Sequence, residues 1–330
     1  MASIRSELTG LIEQGAVPRT EVAQAVAHSG LYPTGRAWGV FLDRLLLWLG
    51  TLALVGGVLF FIAYNWAEMG RGLRFGLVQA ALVIAIGVYV WCQKERQGQK
   101  KTQAKQPVAR AALLAAALLL GVLLALFGQV YQTGADPWQL FFFWALLLLP
   151  WTLVARFDVL WVMWLGLLNL AWVLYWRTWG SALDVLLDSD ISLLLGLFVL
   201  NGVALVVWEL GARRWHWLAC GWAPRLLALA GGVPVSMLMI VLLEKGATPL
   251  MLVYPGWLLV LYGVYRHWRP DLFMLAGGCL SLIAVVTLFL AQELLWQAGA
   301  GAFLLLAVVV LGLGAAAVFW LKRLQQEMSA

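Results

Sequence analysis

Long apolar runs alternate with short polar breaks along nearly the whole chain, and the runs share one approximate length. Ten stretches qualify: 45–65, 73–92, 110–131, 138–155, 157–176, 190–209, 222–243, 248–265, 270–291 and 298–321. A helix rising about 1.5 Å per residue needs about 20 apolar residues to cross a hydrocarbon core of about 30 Å. No water is present there to satisfy free amides and carbonyls. A helix pairs its own backbone, so it is the expected form of each run. The pattern predicts an all-α fold, a polytopic integral membrane helix bundle with about ten transmembrane helices.

The first forty residues break the pattern. Ile4, Leu8, Leu11 and Ile12 recur at helical spacing, and Gly15 and Pro18 interrupt them. Thr20 is placed to cap a second helix carrying Val22 and Val26, which Ser29-Gly30 would end. The reading is a small cytoplasmic helical hairpin over 1–40 joined to a transmembrane domain over 41–330. Two roles fit the hairpin: packing on the bilayer and the chain's own loops, or docking a partner. This segment contains Glu7, Glu13 and Glu21 and neither an apolar core nor a small-residue cleavage site. The first hydrophobic helix is therefore expected to act as an uncleaved targeting signal.

Charge sets the sidedness. With the N-terminus inside, the segments on the cytoplasmic side hold 18 of the 22 Lys and Arg residues, and the external loops hold 4. Under the positive-inside rule this predicts N-in and C-in, which an even number of passes requires. The strongest anchor is the 92–110 loop, with Lys94, Arg96, Lys100, Lys101, Lys105 and Arg110.

Composition narrows the class further. The chain is 63% hydrophobic and 12% charged, with a mean hydropathy of +0.89, whereas soluble domains run near 45–50% and about 25%. Its 20 tryptophans are expected to concentrate where bilayer meets water. The net charge of +6 is spread over short loops, as topology demands, so no nucleic-acid partner is expected. Cys92, Cys220 and Cys279 form no C-x-x-C spacing, and neither a disulfide, a metal site nor a cofactor is expected.

No H-E-x-x-H, G-x-S-x-G or Walker-type G-x-x-x-x-G-K motif occurs, so no catalytic residue is assigned. His28, His216 and His267 all fall toward the cytoplasmic side, which disfavours an external general base. Candidate chemistry sits instead at two helix ends that the topology places on the external face. One end runs Ala63-Tyr64-Asn65-Trp66 and on through Glu68 and Arg71; the other runs from Gln129 through Gln132 to Asp136-Pro137-Trp138. Asn65, Glu68, Arg71, Gln129, Gln132 and Asp136 are the candidate ligand-binding residues. Intramembrane polar groups are costly and usually face a bundle interior or a wet cavity, which suits a pocket for a sugar, peptide or lipid headgroup. The competing reading is capping, in which Asn65 and Gln132 satisfy helix ends and Glu68 pairs with Arg71 at i, i+3.

Other features have more local readings. Gly231-Gly232-Val233-Pro234 and Tyr254-Pro255-Gly256 match the broken helices of transporters, and equally the ordinary kinks of membrane helices. Asn169 and Asn201 are expected to hydrogen-bond between helices, and Gly72, Gly76 and Ala80 to allow close helix approach. The 177–190 segment interleaves Leu183, Leu186 and Leu187 with Asp184, Asp188 and Asp190, as a surface helix would. Its acids would favour the N-terminus of the helix that follows.

The Ala-Tyr-Asn-Trp ending, the segment Gln129-Val130-Tyr131-Gln132-Thr133-Gly134-Ala135-Asp136-Pro137-Trp138-Gln139-Leu140-Phe141 and the Trp144 to Trp151 run resemble the bacterial membrane-protein family called domain of unknown function 2157. The resemblance is strongest over residues 1–155, and beyond them it is mainly hydrophobic pattern. It implies a multi-pass protein of the bacterial cytoplasmic (inner) membrane and supplies no activity, substrate or catalytic residue. An associated family with a Gly-Asp-Tyr signature implies an assembly. The expected partners are thus the lipid bilayer and another membrane protein. The leading expectation is a non-enzymatic envelope assembly or accessory component with an external polar pocket. A transporter or exporter of a polar or lipid-linked substrate comes second, and a carboxylate-dependent membrane enzyme third.

Overall fold

The computed structural model describes residues 4–18, 20–29, 35–98, 105–183, 188–246, 249–295 and 299–329. These residues form helices and turns, with no strand among them. The helices are α1 (Ile4–Glu13), α2 (Val22–His28), α3 (Gly35–Tyr64), α4 (Arg71–Gly98), α5 (Gln106–Tyr131) and α6 (Pro137–Ala155). They continue with α7 (Asp158–Leu183), α8 (Ser189–Arg214), α9 (Trp222–Lys245), α10 (Val253–Gly263), α11 (Leu272–Leu295) and α12 (Gly299–Ser329). Nine helices in the described residues are long and apolar enough to cross a membrane. The chain is a polytopic all-α membrane protein.

The tenth expected pass, 248–265, is built differently. A 3-10 turn over Pro249–Leu252 leads into α10, and a π-helical turn over Val264–Trp268 follows it. Val253 and Tyr254 share a cluster with Met239, Ile240 and Leu243, whereas Leu261 and Tyr265 share one with Ala228. The segment therefore runs antiparallel to α9, from residue 243 back to 228, or about 22 Å at the helical rise. Sequence hydropathy sees the length of such a pass but not that it is made in three pieces.

The chain divides into two compact units, Met1–Thr133 and Gly134–Met328. In the first, α1 and α2 fall within the forty residues read as a hairpin. Thr20 is not the cap of α2: the N-cap position falls on Glu21, which makes no side-chain capping bond. The first apolar helix begins at Gly35, ten residues ahead of the hydrophobic run, because helix continues through the polar stretch to Arg44. Helix α5 packs against both α3 and α4, and alanines 111, 116 and 117 on its surface are buried. Val78, Ala85 and Cys92 form the buried face of α4, spaced by seven residues as a helix–helix seam requires. The expected close-approach stripe, Gly72, Gly76 and Ala80, is on the opposite face, about 180° away at 3.6 residues per turn. It is exposed, and nothing lies within 4 Å of where a Cβ on Gly72 or Gly76 would stand.

In the second unit the close approach occurs elsewhere. A Cβ on Gly196 would fall 2.2 Å from the Trp172 ring, so glycine there lets the indole lie on α8 and donate to the Leu193 carbonyl at 3.1 Å. Trp164 donates to the Ala145 carbonyl and Trp208 to that of Leu218, each at 3.0 Å. These tryptophans tie helices together inside the unit, a use that the interfacial expectation did not include. Asn169 and Asn201 behave as expected: their amides exchange hydrogen bonds at 3.1 and 2.6 Å between α7 and α8, with Asn201 only 1% exposed.

Side-chain bonds also sort the helix ends of this unit. Trp222–Asp158, Arg225–Asp271, Arg269–Glu209 and Arg266–Glu327 gather the starts of α7, α9 and α11 with the ends of α8 and α12. Lys245–Asp188 and Gln292–Glu244 gather the opposite ends. Alternating passes demand this grouping.

Candidate functional site

At one end of the first unit, the last turn of α3, the start of α4 and the last turns of α5 converge on an apolar cluster. Ile62, Met69, Val78 and Leu126 are buried there, with Trp66, Phe75 and Val130 against them. Tyr131 closes the cluster, its ring 6.0 Å from Phe75 and 4.8 Å from Phe127. The two sequence-predicted endings within this unit are thus brought to one end, and their polar residues stand around it. Glu68, Arg71, Gln129 and Gln132 are exposed, and Asn65 is half-buried.

Their bonding is local. The Asn65 amide donates to the Phe61 carbonyl at 2.8 Å, and its own carbonyl accepts from the Glu68 and Met69 amides. Gln132 ends α5 through its backbone, in the left-handed conformation at φ 45°, with its amide bonded to the Gly128 carbonyl. No ion pair joins Glu68 to Arg71 among the described residues: 65–69 are turns, so the helical i, i+3 geometry expected of that pair is absent. The engaged cation is Arg74, whose guanidinium lies 3.8 Å over the Trp66 ring and donates to the Trp66 carbonyl. Sequence reading missed Arg74, although its spacing of eight from Trp66 across a turn was available. Asp136 belongs to the second unit, where it precedes Pro137 at the start of α6 and accepts from the Trp138 indole at 3.3 Å.

The second unit carries two polar constellations that the sequence did not single out. The first is at its basic end. Glu209, on the last turns of α8, binds Arg269, accepts from the Tyr265 hydroxyl at 3.4 Å, and its backbone carbonyl accepts from Arg269 at 3.2 Å. One turn on, Arg213 lies 5.9 Å from the centre of the Trp268 ring. A cavity of about 510 Å³ opens from this cluster between α8, α9 and α10. The second constellation is deeper. Ser236 on α9 bonds Ser281 on α11 at 2.6 Å, and Ser281 bonds the Tyr254 hydroxyl on α10 at 2.9 Å. Ser236 also donates to the Gly232 carbonyl at 2.6 Å, two residues from the buried Pro234. Ser236 and Ser281 border a cavity of about 270 Å³.

Outside the apolar spans, two groups are perturbed. The Lys245 ammonium bonded to Asp188 holds that carboxyl below its ordinary value of 3.8, and Asp188 also accepts from the Ile191 amide at 3.2 Å as the cap of α8. Burial pushes the Cys220 thiol above 9.0, with the nearby Asp158 charge adding to the rise. Asp184, Leu186 and Leu187 of the expected surface helix lie outside the described residues; α7 itself runs to Leu183.

Apolar passes held together by interior amide, hydroxyl and indole bonds define a multi-pass helical membrane protein. Residues 10–161, just under half the chain, match the family described as "Predicted membrane protein (DUF2157)". The matched stretch takes in both endings of the first unit, and it bears out the resemblance read from them. No curated protein and no solved structure matches the chain.

Proposed function

We propose that this is a non-enzymatic assembly or accessory protein of the bacterial inner membrane, N-in and C-in, whose first unit docks another membrane component through its external polar end. One observation carries the reading: at that end, exposed charges and amides ring a packed apolar tip, and their backbone needs are met within their own segments. Side chains so arranged are free to bind a ligand or partner at little cost to the fold. Asn65, Glu68, Arg71, Gln129 and Gln132 are the site residues of this end, and Asp136 is a separate ligand-binding candidate at the start of the second unit. The outward Gly72, Gly76 and Ala80 face of α4 suits a neighbouring helix.

The test is purification of the tagged full chain in a mild detergent after cleavable crosslinking in the cell. A stoichiometric membrane partner, lost in Glu68→Gln or Gly76→Leu at unchanged abundance, is the expected outcome. A solitary protein that catalyses solute flux in liposomes would replace this reading with the transporter. That second reading is favoured by one feature, the hydroxyl chain from Ser236 to Tyr254 beside Pro234, since transporters place polar groups at interrupted helices near mid-membrane.

A further inference from the structure

The groove between α8, α9 and α10 has a direction. At its basic end stand Arg213, Arg269, Glu209 and Tyr265. From Arg213 it follows α8 inward to Phe198, 15 residues or about 22 Å, more than half the thickness of a hydrocarbon core. Beyond the charged cluster its lining is apolar, and three glycines, Gly202, Gly231 and Gly256, keep side chains out of it. One wall is open: Val206, Leu210 and Val260 line the groove and are 57%, 58% and 64% exposed at positions that face lipid in a bilayer. Trp268, 75% exposed, stands at the charged end, where an indole belongs at the headgroup level.

The charges at that end do not cancel. Glu209 neutralises Arg269, whereas Arg213 is set beside the pair on the face of an aromatic ring. Arg269 is also held by the Glu209 carbonyl, so the pair is a fixed base and Arg213 the adjustable cation. A net positive mouth leading into a lipid-open apolar slot is complementary to one kind of molecule, an anion attached to a long hydrocarbon tail. Basic pockets between membrane helices are known to hold the headgroups of anionic lipids.

We propose that this groove is a binding site for an anionic phospholipid, with the phosphate at Arg213 and Arg269 and one acyl chain lying along α8 toward Gly231 and Gly256. The proposal is independent of the docking role assigned to the first unit. It gives the second unit a task of its own, holding a specific lipid of the leaflet that meets its basic end.

The experiment uses the full chain, delipidated in detergent and returned to nanodiscs containing a trace of phosphatidylglycerol or phosphatidylcholine with the same photoreactive acyl chain. Crosslinks are mapped by mass spectrometry. Labelling of α8 and α10 peptides that line the groove should favour phosphatidylglycerol by about five-fold, the discrimination expected of one net cation at a membrane surface. Arg213→Gln should bring the ratio close to one without loss of folded protein. Gly256→Leu has open space for its side chain, and it should block labelling by both lipids by filling the slot. Equal labelling of wild type by the two lipids, or a preference untouched by Arg213→Gln, would overturn the assignment. Abolition of the preference by millimolar inorganic phosphate, with acyl labelling outside the groove, would overturn it too, because the site would then hold a free anion rather than a lipid.

Discussion

The polar end of the first unit and the basic end of the second satisfy their polar groups in opposite ways. In the first, bonds are short-range along the chain: Asn65 reaches four residues back to Phe61, and Arg74 reaches eight back to Trp66. In the second they are long-range, with 60 residues between Arg269 and Glu209, 61 between Arg266 and Glu327, and 46 between Arg225 and Asp271. Locally satisfied side chains define helix ends; distant pairs fix which helices are neighbours. The second unit should therefore lose stability when such pairs are cut, whereas the first unit's exposed polar residues should be nearly silent in stability and open to function.

The strongest test of that contrast is Glu209→Ala. Arg269 is about one-third exposed, and Glu209 is 17% exposed, so removing the carboxylate strands a partly buried guanidinium. Breaking a fully buried pair costs about 3–5 kcal/mol and a surface pair under about 1 kcal/mol, which places this one near 2–3 kcal/mol. Thermal unfolding in detergent should show the loss, and Arg269→Met on top of it should recover part. A loss within error of zero would remove the distinction between the two ends.

Next in size is Asn201→Ala. It deletes both bonds to Asn169 at a site in the interior, where interhelical hydrogen bonds have been worth about 0.6–2 kcal/mol. The expected destabilisation is about 1–2 kcal/mol by the same measurement, since a small cavity adds to the lost bonds.

A smaller effect, with a defined pH window, is expected at the opposite end of the second unit. The folded-state pKa of Asp188 is depressed by Lys245. The stability it contributes is present above the ordinary value of 3.8 and is lost as pH falls through the folded one. The pair is exposed enough that the contribution should be under about 1 kcal/mol and weakened by salt. Lys245→Met should lower the melting temperature at pH 7 by about 1–2 °C and flatten the acid limb of the stability curve between pH 5 and the folded pKa. An unchanged acid limb would show that the pair is not formed in solution.

The membrane class and the existence of the passes were legible in the sequence because hydrophobic length is a local property. That Asn169 and Asn201 each bond to another helix was legible for the same reason, an amide in an apolar run having few other options, whereas their pairing with each other was not. The basic cluster was not, because nothing along the chain relates Glu209 to Arg269 until α8 and α10 are packed. The small-residue stripe misled because periodicity marks a face without saying what it meets; on α4 the heptad Val78, Ala85 and Cys92 wins the neighbour α5, and the glycines are left outside. At the first unit's polar end, the residue types were readable while the Glu68–Arg71 pairing was not, since the helix assumed in pairing them ends at Tyr64.

The smallest stability effect belongs to Glu68→Gln, and it is the sharpest probe of function. Glu68 is exposed, lies in a turn, and its backbone amide is already bonded to Asn65, so the change should cost less than about 0.5 kcal/mol. Asp136→Asn preserves shape in the same way but loses a charged acceptor for the Trp138 indole, so its cost should be slightly larger, about 0.5–1 kcal/mol. Membrane abundance of both variants should stay near wild type by quantitative blotting. If either carboxylate binds a partner or ligand, crosslinking to the co-purified component should fall several-fold in that variant while abundance holds. If instead crosslinking persists and any phenotype tracks protein level, the residues do no more than finish their helices. The first unit's end would then differ from the second's only in how its bonds are made.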